Sequence, residues 1–322
     1  MRVVACLLLS ACAVELSPVS VQAVTVQAVE TVSDDAPTER VDFQAELPAV
    51  PASDDRATFQ PPPRGSYPDG PFGEAVRRGE ALFTDTSHQA GQYMGNDLSC
   101  SNCHLDDGRR AYSAPMWAAW VKYPAYRKKN DRVNSLEERL QGCFTYSLNA
   151  GDSQVGHAPE AGDPVLNDLS TYMYWLSTGA AVGETLPGRG YPKLATPPRP
   201  YDAARGALVY AERCVTCHGD DGGGAKVDGK VVFPPLWGDA SYNWGAGMHR
   251  VNTAAGFIWA NMPLGQPQTL EIQQAWDVAA YINSKPRPAD PRAGSTDDAD
   301  ADFHAHSCAY GDEIDGHLLG VR

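Results

Sequence analysis

The chain has 322 residues with a formal net charge of −14 at pH 7, and 43% of its residues are hydrophobic. This length and hydrophobic content suit two small globular domains. The acidic excess lies in two segments, 29–60 and 289–322, so the sequence between them is close to neutral. The chain therefore has no excess of basic residues of the kind that nucleic-acid-binding proteins have, and we expect no nucleic-acid partner.

Residues 1–28 have the pattern of an export signal, with a basic residue followed by an apolar run at 3–9 that is too short to span a bilayer. The four residues ending at Cys12 are similar to a bacterial lipoprotein processing site, which would lipidate that cysteine and anchor the protein to a membrane. Cleavage after Ala23 or Ala28 is the alternative. Both interpretations predict an exported, periplasmic protein.

The rest of the chain divides by composition. Residues 29–64 are rich in Pro, Asp and Ala, which is typical of a disordered tether. We predict a first domain at 65–190, a stiff proline-rich linker at 191–200 and a second domain at 201–288. An acidic C-terminal tail at 289–322 completes the chain.

The tail contains a His-x-His-x-Cys cluster formed by His304, His306 and Cys308. Such a cluster could bind a metal. Incidental histidines in a partly disordered end are the simpler interpretation. We assign no function to this cluster.

One five-residue motif, Cys-x-x-Cys-His, occurs twice. Its copies are Cys100-Ser101-Asn102-Cys103-His104 and Cys214-Val215-Thr216-Cys217-His218. This is the attachment signature of c-type haem, in which two thiols bond to the vinyl groups and the histidine becomes the proximal iron ligand. One match could be accidental, or a zinc or redox site, but two matches in similar contexts favour two covalently bound haem c groups. The predicted attachment residues are Cys100, Cys103, Cys214 and Cys217, and the predicted proximal ligands are His104 and His218.

The sequences upstream of the two motifs also repeat each other. Each contains an Arg-Gly pair and an aromatic residue four positions after the glycine. Glycine inside a helix costs about 1 kcal/mol relative to alanine, so Gly79 and Gly206 indicate close backbone packing. Runs with strand periodicity are short. We predict a mainly α fold that resembles a diheme cytochrome c with two class I domains in tandem, each with one covalently attached haem.

In cytochromes of this class the first and last helices cross, and pairs of glycine and aromatic residues mark the crossing. In the first domain we expect Gly79 and Phe83 to pack against Tyr172 and Trp175. In the second domain we expect Gly206 and Tyr210 to pack against Trp276 and Tyr281.

The distal iron ligands are harder to assign. In the second domain, Met262 precedes a proline in a loop before the last helix, which favours it as a ligand over a buried core methionine. In the first domain, none of the methionines lies in a comparable Met-Pro loop. Cys143 is a candidate there, but a disulfide to Cys308 and an inert buried thiol are alternatives. The first-domain methionines are Met94, Met116 and Met173.

Five runs of sequence indicate a more specific relationship. They are Tyr123-Pro124-Ala125-Tyr126-Arg127, Ser135-Leu136-Glu137-Glu138-Arg139-Leu140-Gln141-Gly142-Cys143-Phe144, Ser147-Leu148-Asn149, Asn261-Met262-Pro263-Leu264-Gly265 and Asp277-Val278-Ala279-Ala280-Tyr281-Ile282. These runs resemble the periplasmic diheme thiosulfate dehydrogenases, over roughly residues 70–288.

The resemblance implies that His104 and Cys143 ligate the first iron, and that His218 and Met262 ligate the second. In some members of the family a lysine replaces or precedes that methionine. Asn261 occupies the preceding position here, so we expect no ligand switch from lysine to methionine.

The resemblance also implies a catalytic Cys143 with substrate-binding residues on both sides of it. Arg139 and Ser147 match two of these positions. A second arginine lies further upstream in the family, and Arg127 is our choice. Lys128 and Lys129 are alternatives because the local spacing is ambiguous.

The implied activity joins two thiosulfate ions into tetrathionate, in a direction that the sequence does not fix. Electrons would pass from the first haem to the second and on to a small cytochrome c, a high-potential iron–sulfur protein or the respiratory chain. Many Lys and Arg residues between His104 and Cys143 agree with an anionic substrate, although a solvated charged face has the same composition. A membrane-tethered diheme electron carrier without substrate chemistry is the alternative function.

Overall fold

The computed structural model describes residues 57–127, 130–292, 308–314 and 317–319. Within these residues, no helix is long and apolar enough to cross a membrane. Several features of the sequence predictions lie outside them: the export signal with Cys12, the tether up to residue 56, Lys128, Lys129, His304 and His306.

The first domain is built mainly from helices around one apolar core. Its helices are α1 (Gly70–Thr84), α2 (Thr86–Gln89), α3 (Met116–Trp120), α4 (Leu136–Tyr146) and α5 (Pro164–Leu176). A short antiparallel hairpin, β1 (Ala125–Arg127) with β2 (Arg132–Asn134), precedes α4 and pairs Tyr126 with Val133.

The second domain repeats this organisation around its own core. Its helices are α6 (Ala203–Arg213), α7 (Val215–His218), α8 (Val251–Asn261) and α9 (Ile272–Asn283). The antiparallel hairpin of β3 (Ala225–Val227) and β4 (Lys230–Phe233) follows α7. Because the strands of both domains have only three or four residues, the prediction of a mainly α fold is confirmed.

Side-chain caps set the beginnings of the helices that matter for the sites. Before α4, the Ser135 hydroxyl accepts a hydrogen bond from the Glu138 amide at 3.1 Å, and the Glu138 carboxylate accepts one from the Ser135 amide at 2.8 Å. Before α5, Asp163 accepts a hydrogen bond from the Val165 amide at 2.8 Å, with Pro164 in the first turn. Each cap satisfies amides that have no partner inside the helix.

The crossing of α1 and α5 has no room for a side chain at Gly79. A Cβ atom there would lie 2.1 Å from the Asp168 carbonyl oxygen and 2.7 Å from the Tyr172 Cβ. One turn along, the rings of Phe83 and Tyr172 are 5.6 Å apart, and Tyr172 stacks on Trp175. The expected glycine–aromatic crossing is therefore present in the first domain.

The same crossing recurs between α6 and α9. A Cβ atom on Gly206 would lie 2.0 Å from the Asp277 carbonyl oxygen and 2.8 Å from the Tyr281 Cβ. The rings of Tyr210 and Tyr281 are 5.4 Å apart. In each domain, one glycine and one pair of aromatic rings thus allow the first and last helices to cross closely.

The arginine of each Arg-Gly pair also has a structural role. Arg78 makes two hydrogen bonds to the Asp168 carboxylate at 2.8 and 2.9 Å. Arg205 makes two to Asp277, both at 2.8 Å. Each bridge fastens the first helix of a domain to the last one. Sequence reasoning recognised the repeated arginine but did not predict its partner.

The linker packs on the second domain. The Tyr191 ring lies 5.4 Å from the Phe257 ring, and the Trp276 indole donates a hydrogen bond to the Ala195 carbonyl oxygen at 3.1 Å. Trp276 also stacks on Tyr201, with ring centroids 6.0 Å apart. Trp276 therefore packs on Tyr201 and the linker, and of the two expected aromatic residues it is Tyr281 that packs on Tyr210 of α6.

The last residues of the predicted tether, 57–64, pack on the first domain. The rings of Phe59 and Trp117 are 5.4 Å apart, and Arg64 forms an ion pair with Asp107 at 2.6 Å.

The described part of the C-terminal segment lies on the second domain. It contains a hairpin of β5 (Glu313–Ile314) and β6 (His317–Leu318). Leu319 is 1% exposed, and the Tyr310 ring lies 5.8 Å from the Trp244 ring.

Polar contacts join the two domains. The Asn243 side chain donates to the Thr145 carbonyl oxygen at 3.0 Å, and its amide donates to the Tyr146 carbonyl oxygen at 3.1 Å, so the end of α4 touches the second domain. The Ser241 carbonyl oxygen accepts a hydrogen bond from Asn149 at 2.8 Å. Buried amides of this kind fix one orientation of the two domains, because their partners would otherwise be unsatisfied.

Candidate haem and active sites

The first attachment site is a single turn of 3₁₀ helix, Cys100–Asn102, followed by Cys103. Thr86 at the start of α2 holds this turn, since its hydroxyl accepts a hydrogen bond from the Cys100 amide at 3.2 Å. Burial raises the pKa of Cys100 to about 12 and that of Cys103 to about 11. Two partly buried thiols on one turn, directly before a histidine, fit covalent attachment of haem.

His104 presents one ring nitrogen to the site. Its Nδ1 donates a hydrogen bond to the Ala114 carbonyl oxygen at 2.8 Å, which leaves Nε2 available for a metal. Burial lowers the pKa of His104 to about 4, so the imidazole is neutral at pH 7. A neutral, oriented imidazole is the form that iron binds.

The second site has the same arrangement, beside a cavity. His218 Nδ1 donates to the Pro234 carbonyl oxygen at 3.0 Å, and burial lowers the pKa of His218. A mostly apolar cavity, open in part to solvent, adjoins this ring. The predicted ligands and attachment residues all line it: Cys214, Cys217, His218 and Met262. The residues fit a haem, and the ligand role of Met262 stays a prediction.

Buried donors near this cavity also fit the carboxylates of a haem. Arg287 is 7% exposed and stacks 4.4 Å from the centre of the Tyr242 ring, which lines the cavity. Its Nε and Nη1 have no hydrogen-bond partner in the described part of the chain, and neither does the Trp244 indole nitrogen. Buried donors without a hydrogen-bond partner are energetically costly. An anionic group that accepted hydrogen bonds from them would remove this cost.

Cys143 and Arg139 form the central contact of the candidate active site. They lie four residues apart on α4, and Arg139 Nη1 donates to Cys143 Sγ at 3.0 Å. Electrostatic interaction with Cys143 raises the pKa of Arg139, and it adds to the burial that raises the pKa values of Cys100 and Cys103. Cys143 therefore lies beside the first attachment site. It is a free thiol, so the alternative of a disulfide to Cys308 is not present.

Tyr123 links Arg127 to the same site. Arg127 Nη1 donates to the Tyr123 hydroxyl, and the Arg127 Cζ lies 6.0 Å from the Tyr123 ring centre. Tyr123 also interacts with Arg139 and contributes to raising the pKa of Arg139. Ser147, the last residue expected here, follows Cys143 by one turn, and its amide donates to the Cys143 carbonyl oxygen at 2.9 Å.

The first-domain methionines pack in the core. Met94, Met116 and Met173 belong to the apolar cluster of this domain and are 9%, 6% and 3% exposed. Met173 lies within α5. These positions agree with the choice of Cys143 over a methionine, although the ligand role of Cys143 stays a prediction.

Sequence reasoning missed two cations of this site. The pKa of Lys122 is lowered by partial burial and then by the positive charges of Arg189, Arg127 and Arg139. Lys122 therefore lies near three arginines, and one of these, Arg139, contacts the Cys143 thiol. Lys122 directly precedes the first run that carried the resemblance, which was an available signal. Arg189 lies at the end of the predicted first domain, far along the chain from Lys122, and only the fold brings the two together.

Tyr191 was also missed. Burial raises its pKa, and the Cys103, Arg139 and Cys143 side chains all interact with it electrostatically. Its ring packs on Phe257, which lines the second cavity. Tyr191 thus lies between the two candidate sites.

Comparison with protein families places both domains. Residues 203–285 match the family described as cytochrome c, and residues 78–182 match the SoxA/TsdA cytochrome c domain. These matches, with the two attachment motifs, establish two covalently bound haem c groups.

Characterised relatives cover most of the chain. It is 52% identical over 266 residues to the thiosulfate dehydrogenase of Stutzerimonas stutzeri, covering 81% of this chain and 85% of the relative. Identity to the thiosulfate dehydrogenase of Thiomonas intermedia is 50%, with coverage of 82% and 83%. A solved thiosulfate dehydrogenase (TsdBA) from Marichromatium purpuratum, as isolated, superposes with a TM-score of 0.79 at 55% identity; the match covers 83% of this chain and 59% of that longer chain. The chain therefore belongs to the thiosulfate dehydrogenase family of diheme c-type cytochromes.

Proposed function

We propose that this protein oxidises two thiosulfate ions to one tetrathionate ion at Cys143. The observation that carries the proposal is the 3.0 Å contact from Arg139 Nη1 to Cys143 Sγ beside the first attachment site. A guanidinium on a thiol stabilises the thiolate, which is the nucleophilic form. An electron carrier without substrate chemistry has no need for a nucleophile in a cluster of cations.

The cation cluster suits the substrate. Thiosulfate is a dianion, and joining two of them requires fixed positive charge to offset their repulsion. Guanidinium groups bind sulfonate-like oxygens through the geometry that suits phosphate. Arg139 and Arg127 supply this geometry, and Lys122 and Arg189 add charge around it.

The sulfur chemistry balances in two steps. In the first, Cys143 Sγ and the outer sulfur of thiosulfate form a sulfur–sulfur bond, and two electrons leave. In the second, another thiosulfate attacks that outer sulfur, tetrathionate departs, and Cys143 returns as a thiolate. Arg139 stabilises the thiolate before the first step and again after the second. Ser147 follows Cys143 by one turn, and its hydroxyl would orient a substrate oxygen.

His104 and Cys143 would hold the first iron, and His218 and Met262 the second. When bound, the two haems supply two one-electron acceptors, the first of lower potential because of its thiolate ligand.

The remaining features of the proposal come from the sequence. The export signal supports a periplasmic protein, and lipidation of Cys12 would attach it to a membrane. Electrons would leave for a small cytochrome c, a high-potential iron–sulfur protein or the respiratory chain. A Cys12→Ser variant that remains in the membrane fraction would contradict the anchor.

The decisive experiment adds thiosulfate anaerobically to the oxidised holoprotein and follows the haem absorption bands. We expect ferrous bands together with tetrathionate in the wild type, and neither in Cys143→Ala. Cys308→Ala, which removes another cysteine outside the attachment motifs, serves as the matched control and should behave as the wild type. Full activity in Cys143→Ala would contradict the mechanism. Absence of reduction in a wild-type sample that dithionite reduces fully would favour the electron carrier.

A further inference from the structure

Asn261 occupies an unusual place in the fold. It is the last residue of α8, is fully buried, and immediately precedes Met262. Its side-chain oxygen accepts a hydrogen bond from Arg110 Nε at 2.9 Å. Its side-chain nitrogen donates to the Tyr112 carbonyl oxygen at 3.2 Å and to the Phe257 carbonyl oxygen at 3.1 Å. One amide in the second domain is therefore held by two residues of the first.

The segment that holds Asn261 also supports the first attachment motif. We call residues 110–114 the bridging segment. Its last residue, Ala114, accepts the hydrogen bond from His104 Nδ1 at 2.8 Å. The Ser113 hydroxyl donates to the Cys103 carbonyl oxygen at 3.1 Å. The same five residues thus contact the proximal side of the first site and the loop that carries the predicted distal ligand of the second.

The bridging segment is fixed in an uncommon conformation. Tyr112 and Ala114 have φ values of 63° and 48°, in the left-handed region that non-glycine residues seldom adopt. Their amides donate to the Gly188 and Gly190 carbonyl oxygens at 2.6 and 3.1 Å. The Tyr112 side chain is 3% exposed and packs on Ala260, which is fully buried. Because hydrogen bonds and packing fix the bridging segment, a displacement at one of its ends should move the other end as well.

We propose that Asn261 is a positioning residue that holds Met262 in the second cavity, and that its bond to Arg110 makes the ligation of the second haem depend on the first domain. The inference rests on the proposed ligation of the second iron by Met262. It does not depend on thiosulfate chemistry, so the two can fail separately.

The energetics favour a strong effect. Arg110 is 8% exposed, and a buried guanidinium that loses its acceptor is costly. Replacing Asn261 with leucine keeps the volume but removes the acceptor of Arg110 and the donor to Tyr112. The end of α8 then loses its hydrogen bonds to the bridging segment, and Met262 is the next residue in the chain. We expect the equilibrium constant for holding the Met262 loop in the cavity to fall by roughly tenfold.

The test uses ferric holoprotein and two measurements that do not require turnover. The first is the weak long-wavelength absorption band of a ferric haem with a methionine sulfur ligand, identified by its loss in Met262→Ala. The second is the midpoint potential of the second haem. In Asn261→Leu we expect at least about a twofold loss of the band and a lower potential, because a neutral thioether ligand favours ferrous iron. Asn252→Leu, on an exposed position of the same helix, should match the wild type.

A second variant keeps the proposal testable if Asn261→Leu does not fold. Arg110→Met leaves Asn261 and its bond to Tyr112 in place and removes only the hydrogen bond from Arg110, so a partial loss of the band and a lower potential are expected. A wild-type band and potential in Asn261→Leu, or in Arg110→Met where the former does not fold, would overturn the proposal. If Met262→Ala keeps the band, the assignment of the second distal ligand is wrong, and this inference falls with it while thiosulfate oxidation stands.

Discussion

Arg139 contacts the Cys143 sulfur directly. Its replacement should therefore show whether this local contact, or the net charge of the protein, governs the reaction with thiosulfate. Arg139→Gln keeps a similar size but removes the fixed charge and the charge-assisted contact. We expect kcat/KM for thiosulfate to fall about 10²-fold, since a lost charge-assisted hydrogen bond is worth roughly 2–3 kcal/mol. Steady-state kinetics with a ferricyanide-type acceptor would measure it.

The matched control for this variant is Arg132→Gln. Arg132 lies on the neighbouring hairpin, is 60% exposed and pairs with Glu138 at 2.9 Å. Exposed ion pairs contribute little, so its kcat/KM should stay within about twofold of the wild type. Equal losses in the two variants would mean that net charge, and not the contact with Cys143, governs the rate.

At this scale, the sequence was informative wherever chemistry forces a local pattern. The attachment cysteines and histidines follow from spacing alone, because haem geometry fixes them on one turn. Lys122 and Arg189 could not be found in this way. Their interaction brings together residues that are far apart in the chain, which no local pattern encodes.

The helix crossings give the clearest prediction at the level of secondary-structure elements. Gly206→Ala would place a Cβ 2.0 Å from the Asp277 carbonyl oxygen. Helix propensity alone would stabilise this variant by about 1 kcal/mol, but overpacking should dominate and destabilise it by about 1–3 kcal/mol. Gly247→Ala is the control, since a Cβ there meets nothing within 4 Å and its φ is not positive. Thermal unfolding of the holoproteins would measure both, and a stabilised Gly206→Ala would refute the crossing.

The bridge between α6 and α9 should appear in the pH dependence of stability. Burial alone would raise the pKa of Asp277, but hydrogen bonds from Arg205, the Asp202 amide and Gln273 lower it overall. A carboxylate whose folded pKa lies below its unfolded value of about 3.9 stabilises the fold above that pH, and this stability is lost as the pH falls through the folded pKa. Asp277→Asn should therefore be less stable than the wild type by about 1–3 kcal/mol at pH 7.

The difference between Asp277→Asn and the wild type should shrink as the pH falls below about 4. Denaturant unfolding at pH 7, 5, 4 and 3 would measure it. Asp152→Asn, at an exposed position, controls for the loss of one charge. A difference that stayed constant from pH 7 to pH 3 would show that the Asp277 carboxylate does not supply this stability.

Elements were predictable to the extent that each domain repeats the other. Comparing the two halves of the sequence located both crossings, because Gly79 and Gly206 stand at equivalent positions before the motifs. The two hairpins were not predicted, since strands of three or four residues, β1 to β4, are too short for a period of two to be recognised.

For the whole molecule, the contacts between the two domains could not be predicted from the sequence. The contacts come from asparagine side chains and backbone carbonyls that are far apart in the chain, and asparagine is common in ordinary loops. Leu105, directly after the first motif, packs in the core of the second domain. Such a position cannot be inferred without the fold. The domains are consequently one packed unit, and they should unfold together.

Asn243 tests this coupling because it makes two hydrogen bonds across the boundary. It is 2% exposed, its side chain donates to the Thr145 carbonyl oxygen, and its side-chain oxygen accepts from the Gly245 amide at 2.9 Å. Asn243→Ala leaves these buried groups unsatisfied, so we expect a loss of about 1–3 kcal/mol. Calorimetry of the wild type should give one transition, and that of Asn243→Ala two, as the domains separate energetically. Asn252→Ala, at an exposed site within the second domain, should keep the single transition; two transitions already in the wild type would show that the polar boundary does not couple the domains.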